Sequence, residues 1–167
     1  MAAAGLEAAI NPGVSLVVDT SAILAYLDGS ERVSDAAAVV FDRLIATGRN
    51  SAVVSAVSVT ETLVRPLRAR SASATGTVEA FLRSFPNLSI EPVTYEIARE
   101  AARIRAATAL RTPDTLILAT ASVLGSGVVV ANDDRWRGAI ERAELAVGLC
   151  HLDMFTGEAL AMKGNSA

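Results

Sequence analysis

Four acidic residues of the chain stand next to apolar runs, where their carboxylates could bind a divalent cation. Asp19 and Asp133 each come just after a short apolar run that is typical of a buried strand. Glu61 and Asp114 each lie near the start of a run with helical spacing. Mg²⁺ and Mn²⁺ prefer oxygen ligands, and such an ion can activate water and stabilise the charge of a phosphoryl transition state.

The elements that must position these acids alternate along the chain. The apolar runs that predict strands are residues 16–18, 52–54, 88–93, 128–130 and 146–152. Stretches with helical periodicity or helix-capping residues separate these runs. The alternation predicts an α/β fold with a parallel, doubly wound sheet of five strands.

Local signals predict where several helices begin. Ser21 and Ser34 are each expected to cap the helix that follows, and Ser58–Glu61 reads as a capping box. Thr112 is expected to cap a helix that has proline in its first turn. Residues 71–77 are predicted to form a polar loop.

The predicted topology brings the four acids to one edge of the sheet. Helices in parallel α/β units run antiparallel to the strands, so helix N-termini lie beside strand C-termini. Each acid alone has an ordinary alternative role as a turn residue, a cap or a partner of the helix dipole, the last worth about 0.3–1 kcal/mol. Together they mark the edge where open α/β sheets bind ligands, near the point where strand order reverses.

Repulsion among these acids indicates a cation. Two carboxylates about 5 Å apart repel by roughly 3 kcal/mol at an effective dielectric near 20, against a typical domain stability of about 5–15 kcal/mol. The sequence places neither its single lysine, Lys163, nor its single histidine, His151, beside the acids. We therefore hypothesise that the acids hold one or two Mg²⁺ or Mn²⁺ ions.

Length and composition predict one domain. The chain has 167 residues, of which 51% are hydrophobic, and its formal net charge is −3. We expect a flexible N-terminal segment over residues 1–13, one domain over 14–156 and a flexible tail over 157–167.

Several classes of protein are excluded or disfavoured. The single cysteine, Cys150, allows no internal disulfide, and the single histidine excludes chemistry that needs a pair of histidines. The start of the chain lacks a basic signal-peptide region, and the uncharged run 115–132 contains polar and Gly-Ser-Gly interruptions that favour a helix, a turn and a strand. We expect a soluble, cytoplasmic protein without a membrane span.

The acids and their neighbours resemble the spaced acids of PIN-domain nucleases. The matching segments are Val-Val-Asp-Thr-Ser, Ser-Val-Thr-Glu, Arg-Thr-Pro-Asp-Thr-Leu-Ile-Leu-Ala-Thr-Ala and Asn-Asp-Asp-Arg-Trp. The resemblance covers about residues 14–152, and the size is similar to that of VapC-type toxins of toxin–antitoxin pairs. It implies a three-layer α/β/α sandwich, Mg²⁺- or Mn²⁺-dependent cleavage of RNA, a homodimer, and inhibition by a small antitoxin.

The resemblance also implies residue roles. Asp19, Glu61, Asp114 and Asp133 match the metal-binding acids, and Ser21 matches a supporting hydroxyl residue. The sequence departs from the family in two places. Ala131 stands where the family usually has Thr or Ser, and Asp134 adds an acid that could substitute for Asp133.

Substrate contacts and competing functions stay open at this point. Arg65, Arg68 and Arg111 are candidates for contacts to RNA phosphates, although a solvated helix face explains them equally well. One alternative is a PIN-fold binding module without activity, which the alanine at position 131 would suit. Another is a phosphatase with an aspartyl nucleophile, but that class needs a second acid where this chain has Ser21.

Overall fold

A computed structural model describes residues 2–156, which form a five-stranded sheet with helices on both faces. The strands are β1 (Leu16–Val18), β2 (Ala52–Ser55), β3 (Leu88–Glu91), β4 (Val128–Ala131) and β5 (Gly148–His151). Their order is β3-β2-β1-β4-β5, and every neighbouring pair is parallel. The predicted parallel, doubly wound sheet is therefore confirmed, and strand order reverses on either side of β1.

Helices connect the strands. They are α1 (Ala2–Ala9), α2 (Thr20–Asp28), α3 (Ser34–Ala38), α4 (Ala56–Arg68), α5 (Ala72–Ser84), α6 (Tyr95–Ala107), α7 (Thr112–Leu124) and α8 (Arg135–Arg142). A π-helical segment (Val39–Ile45) extends α3, and a 3-10 turn (Leu152–Phe155) follows β5. Within residues 2–156, none of these helices has both the length and the apolar character needed to cross a membrane.

Two apolar clusters lie on opposite faces of the sheet. Successive strand residues point to opposite faces, so Leu16 and Val18 pack into one cluster while Val17 packs into the other. The first cluster includes residues of α1, α2, α3 and α5, and the second includes residues of α6, α7 and α8. Trp136 belongs to the second cluster and is 1% exposed. This arrangement confirms the three-layer α/β/α sandwich.

The segment over residues 1–13 that was expected to be flexible contains a helix. Residues 2–9 form helix α1, and Leu6 and Ile10 are fully buried in the first apolar cluster. Their hydrophobic burial holds the segment against the domain. The predicted flexible tail over residues 157–167 lies outside the described residues.

Several predicted helix starts are also wrong. Asp19, not Ser21, caps α2, because β1 ends directly before it and its side chain accepts the N–H of Ser21. Ser34 instead donates its hydroxyl to the carbonyl of Ala25 over 2.7 Å. Helix α4 already begins at Ala56, so the supposed capping box lies inside it.

Two further boundaries differ from the sequence prediction. Residues 72–77 are not a polar loop but the first turns of α5, which Ser71 caps by accepting the N–H of Ala74 over 3.2 Å. Thr112 is the first residue of α7, and Arg111 occupies its cap position without a side-chain capping bond.

A buried amide fastens the segment between α1 and β1 to the domain. Asn50 is 0% exposed, and its Nδ2 donates to the carbonyl oxygens of Asn11 at 2.9 Å and Val14 at 2.8 Å. Arg49 donates to Oδ1 of Asn50 and, through Nη2, to the carbonyl oxygens of Glu7 and Ile10. These bonds satisfy carbonyl groups that no strand or helix uses.

We predict that Asn50→Ala lowers the free energy of unfolding by about 2–3 kcal/mol, because the fully buried Asn50 amide and its hydrogen bonds to the carbonyls of Asn11 and Val14 are lost. Urea denaturation of the full chain measures this change. Arg83→Ala, at an exposed position of α5, serves as the control with a change of about 0.5 kcal/mol or less. A variant as stable as the wild type would show that the amide does not anchor the segment.

Candidate active site

A cleft of about 370 Å³ opens at the carboxyl edge of the sheet, where β1 and β4 lie side by side. Its walls contain all four of the predicted acids. The lining residues are Asp19, Thr20, Ser21, Leu24, Glu61, Arg111, Asp114, Asn132 and Asp133. The convergence expected from topology therefore exists in three dimensions, at the point where strand order reverses.

Asp19 is, with Asp114, one of the two most buried acids of the cleft. It follows β1 directly, is 6% exposed, and its backbone N–H donates to the carbonyl of Val130 on β4 over 2.9 Å. Burial raises the pKa of its carboxyl to about 6, and the negative charge of Asp114 adds to the rise. Hydrogen bonds from Ser21 lower this pKa and offset part of the desolvation.

Ser21 joins the ends of the two central strands. Its hydroxyl donates to Oδ2 of Asp19 and accepts the backbone N–H of Asn132 over 3.0 Å. Its own N–H donates to the same Asp19 oxygen over 3.1 Å. Ser21 therefore fixes the Asp19 carboxylate relative to the loop that follows β4.

Glu61 reaches the cleft from the second turn of α4. Its Oε2 accepts the hydroxyl of Thr20 over 2.6 Å, and the same hydroxyl lies 2.9 Å from Oγ of the buried Ser58. Thr20 is 7% exposed. The hydroxyl next to Asp19 in sequence thus orients the acid contributed by the neighbouring strand–helix unit.

Asp114 is buried in the first turn of α7, with a side chain 8% exposed, and two arginines approach it. Nε of Arg111 lies 3.3 Å from Oδ2 of Asp114, and Nη2 of Arg135 lies 3.6 Å from the same oxygen. The sequence argument considered only lysine and histidine as neutralising residues, whereas arginines at two helix starts supply positive charge beside Asp114.

Asp133, not Asp134, faces the cleft. Its two carboxylate oxygens accept Nε of Arg135 at 3.0 Å each, and Oδ1 also accepts the Arg135 backbone N–H at 2.9 Å. The pairing with Arg135 lowers the pKa of Asp133. The side chain of Asp134 is 99% exposed and lies 3.2 Å from Nε2 of His151, away from the cleft.

The donor set fits a hard divalent cation through a few ligands rather than a complete cage. Within the chain as described, no three acidic, histidine or cysteine side chains form a cluster ready to hold a metal. Mg²⁺ commonly binds proteins through one or two carboxylates and keeps several waters. Asp19 and Asp114 can supply these carboxylates, and Oδ1 of Asn132, also in the cleft, is buried with no hydrogen-bond partner.

The predicted phosphate contacts are only partly placed at the cleft. Arg111 lines it, whereas Arg65 lines a neighbouring apolar groove that shares Leu24 and Glu61 with it. Arg68 is exposed and lines neither.

Sequence reasoning missed three residues of the site. Thr20 and Asn132 were adjacent to predicted acids, so their position beside a strand end was the available signal. Arg135 follows Asp133 by two residues, which is a common spacing for a side chain that pairs with a turn or capping carboxylate.

Comparisons with known proteins agree with this geometry. The family model described as PIN domain matches residues 16–141. A search of curated proteins finds no significant match.

Solved structures with the same fold include bacterial VapC proteins. VapBC2 from Rickettsia felis, bound to a DNA fragment from its promoter, aligns with TM-score 0.64 and 13% identity over 82% of this chain and 98% of that chain. VapC20 from Mycobacterium tuberculosis, a Sarcin-Ricin loop cleaving toxin, aligns with TM-score 0.62 and 18% identity over 74% of this chain and 94% of that chain. VapBC-5 from the same organism, a member of the VapBC family of toxin–antitoxin systems, aligns with TM-score 0.56 and 23% identity over 83% of this chain and 98% of that chain.

We predict that Asp19→Asn stabilises the metal-free protein at high pH. The folded-state pKa of about 6 exceeds the ordinary value of 3.8, so ionised Asp19 destabilises the fold above pH 6 and has no such effect below pH 4. The variant should gain about 1–3 kcal/mol at pH 8 and nothing at pH 4. Urea unfolding at both pH values, with chelator, measures the difference.

Asp134→Asn provides the control, because its exposed carboxylate should give a small change that is the same at both pH values. An effect of Asp19→Asn that does not vary with pH would contradict the raised pKa.

Proposed function

The chain belongs to the PIN domain family, and from this premise we propose that it is a metal-dependent endoribonuclease that acts as the toxin of a toxin–antitoxin pair. The observation that carries the proposal is the meeting of four carboxylates, from segments far apart in sequence, in one cleft. Asp19 and Asp114 in that cleft are both buried, although a buried carboxylate is costly without a cation or strong donors. RNA phosphodiesters are the substrate class that such a site suits.

Each acidic residue has a distinct part in the proposed mechanism. Asp19 and Asp114 hold one or two Mg²⁺ or Mn²⁺ ions, with Oδ1 of Asn132 and Asp133 as further oxygen ligands. When bound, the cation supplies an activated water and neutralises charge on the scissile phosphate. Ser21 keeps the Asp19 carboxylate in place, and Thr20 orients Glu61, which would hold a water or a second ion. Attack by water in line leaves a 5′-phosphate and a 3′-hydroxyl.

RNA binding would use charge more than base stacking. Aromatic residues make up 4% of the chain, and its tryptophan is in the core. Arg111 stands at the cleft with a side chain that is 67% exposed, so it can contact a backbone phosphate. Arg65, which lines the neighbouring groove, is a further candidate, whereas Arg68 in the last turn of α4 lines neither the groove nor the cleft.

The proposed partner and location follow from the relatives. VapC20 is a Sarcin-Ricin loop cleaving toxin, and VapBC-5 is a member of the VapBC family of toxin–antitoxin systems. We therefore propose a small antitoxin protein as the partner of this chain, a homodimer as its assembly, and the cytoplasm, where its RNA substrate is found, as its location.

We predict that purified full-length protein cuts RNA only with a divalent cation, and that Asp114→Asn lowers the rate by at least about 100-fold. The reason is that a catalytic cation loses a buried ligand. Total cellular RNA incubated with Mg²⁺, with Mn²⁺ or with chelator, and analysed for discrete fragments and for 5′-phosphate ends, provides the measurement.

Asp134→Asn is the matched control, since it removes a neighbouring acid that points away from the cleft, and it should cleave within about twofold of wild type. Equal cleavage by Asp114→Asn and wild type, or cleavage in chelator, would refute the site assignment. Absence of turnover in every condition would favour the binding-module alternative. Phosphate release from small esters would favour the phosphatase, although Ser21 stands where that class needs an acid.

A further inference from the structure

We propose that the guanidinium of Arg135 neutralises the acidic cleft by pairing with Asp133 and Asp114. Because it competes with the divalent ion for these carboxylates, it sets how tightly that ion binds. This inference rests on the proposed function, because it concerns the cation that the nuclease reaction would require. It adds a residue outside the acid set as a determinant of metal affinity.

The contacts of Arg135 join two acids that come from different elements. Its Nε lies 3.0 Å from each carboxylate oxygen of Asp133, and Nη2 also contacts Asp133. The same Nη2 lies 3.6 Å from Oδ2 of Asp114, in the first turn of α7. A single guanidinium therefore pairs with two of the carboxylates that would hold a metal ion.

The guanidinium of Arg135 can be displaced by another cation. Its side chain is 51% exposed, so its guanidinium can move into solvent without being buried elsewhere, and a half-exposed ion pair of this kind is weak. The side chain of Asp114 is only 8% exposed, so this acid stays where it is. A small ion with two charges can therefore displace the guanidinium from the acids.

Loss of the guanidinium would not release Asp133. The backbone N–H of Arg135 donates to Oδ1 of Asp133 over 2.9 Å, independently of the side chain. Substitution of Arg135 thus removes the competing charge but keeps the carboxylate oriented. The substitution therefore distinguishes two roles of the Arg135 side chain. If the side chain competes with the metal ion, its removal strengthens metal binding. If it holds Asp133 in place for the metal ion, its removal weakens metal binding.

Arg111 differs from Arg135 in this respect. Among residues 2–156 its ion pair is with Asp114, at 3.3 Å, from the residue that precedes α7, and its charge acts on Asp133 without a direct ion pair. Its side chain is 67% exposed. Of these two arginines, Arg135 is the one that pairs with both Asp133 and Asp114.

Calorimetric titration of the full chain with Mn²⁺, in the absence of RNA, tests the proposal. We expect Arg135→Ala and Arg135→Gln to bind Mn²⁺ about three- to tenfold more tightly than wild type, because the ion no longer displaces a guanidinium. Their melting temperatures should be lower than that of wild type in chelator and should rise more on addition of Mn²⁺.

Arg137→Ala is the matched control. It removes the same charge from the same helix, at an exposed position that has no ion pair within residues 2–156. Its Mn²⁺ affinity should stay within about twofold of wild type. Arg135→Gln, which keeps most of the side chain, gives the answer if Arg135→Ala does not fold.

Two results would overturn the inference, and they differ in what else they affect. If wild type binds Mn²⁺ and both Arg135 variants bind it no more tightly than Arg137→Ala, only the role of Arg135 is refuted. If neither wild type nor any variant takes up Mn²⁺, the proposed function fails as well.

Discussion

The burial of the Asp19 carboxylate at the end of the central strand is the constraint on which the site depends. β1 has neighbours on both sides, so its carboxyl end lies deep in the edge of the sheet, and burial raises the pKa of Asp19 to about 6. Part of this cost is offset locally, by the N–H and hydroxyl of Ser21. The Ser21 hydroxyl also holds Asn132, so the stabilisation of one acid fixes the geometry of the next strand end.

The negative charge of Asp19 is balanced differently from that of Asp133 and Asp114. Asp133 and Asp114 are paired with arginines whose side chains are at least half exposed. In the described residues, Asp19 has hydroxyl and amide donors but no ion pair. Asp19 therefore has the greatest need of a cation, whereas Asp114 and Asp133 are already paired with guanidinium groups that an incoming divalent ion can replace.

The sequence was sufficient for the sheet and for the edge where the acids meet. Continuous apolar runs such as Val128–Val130 predict strands buried on both faces, and alternation with helices predicts their parallel pairing. Once the pairing is parallel, the ends of β1 and β4 and the starts of α4 and α7 must share one edge. The positions of Asp19, Glu61, Asp114 and Asp133 follow from connectivity alone, without knowledge of any side-chain contact.

Details that depend on three-dimensional contacts could not be predicted in this way. Ser21 and Asp19 are both good capping residues, and only the end of β1 decides that Asp19 takes the position. Helix α1 is Ala-rich and has one buried Leu, so its packing depends on a surface formed by distant residues. The pairing of Arg135 with Asp114 joins the starts of α7 and α8, which both lie at the carboxyl end of β4, but which side chains meet there depends on how the two helices pack.

Ala131, the residue that departs from the family pattern, shows how the site tolerates a missing hydroxyl. It is fully buried in the second apolar cluster, where a methyl group leaves no polar atom without a partner. The adjoining backbone N–H, that of Asn132, is bonded instead by Ser21 from across the strand pair. The connection between the ends of β1 and β4 is thus made from the β1 side, so an alanine at position 131 is compatible with an ordered cleft. The proposed nuclease activity therefore does not require a hydroxyl at this position.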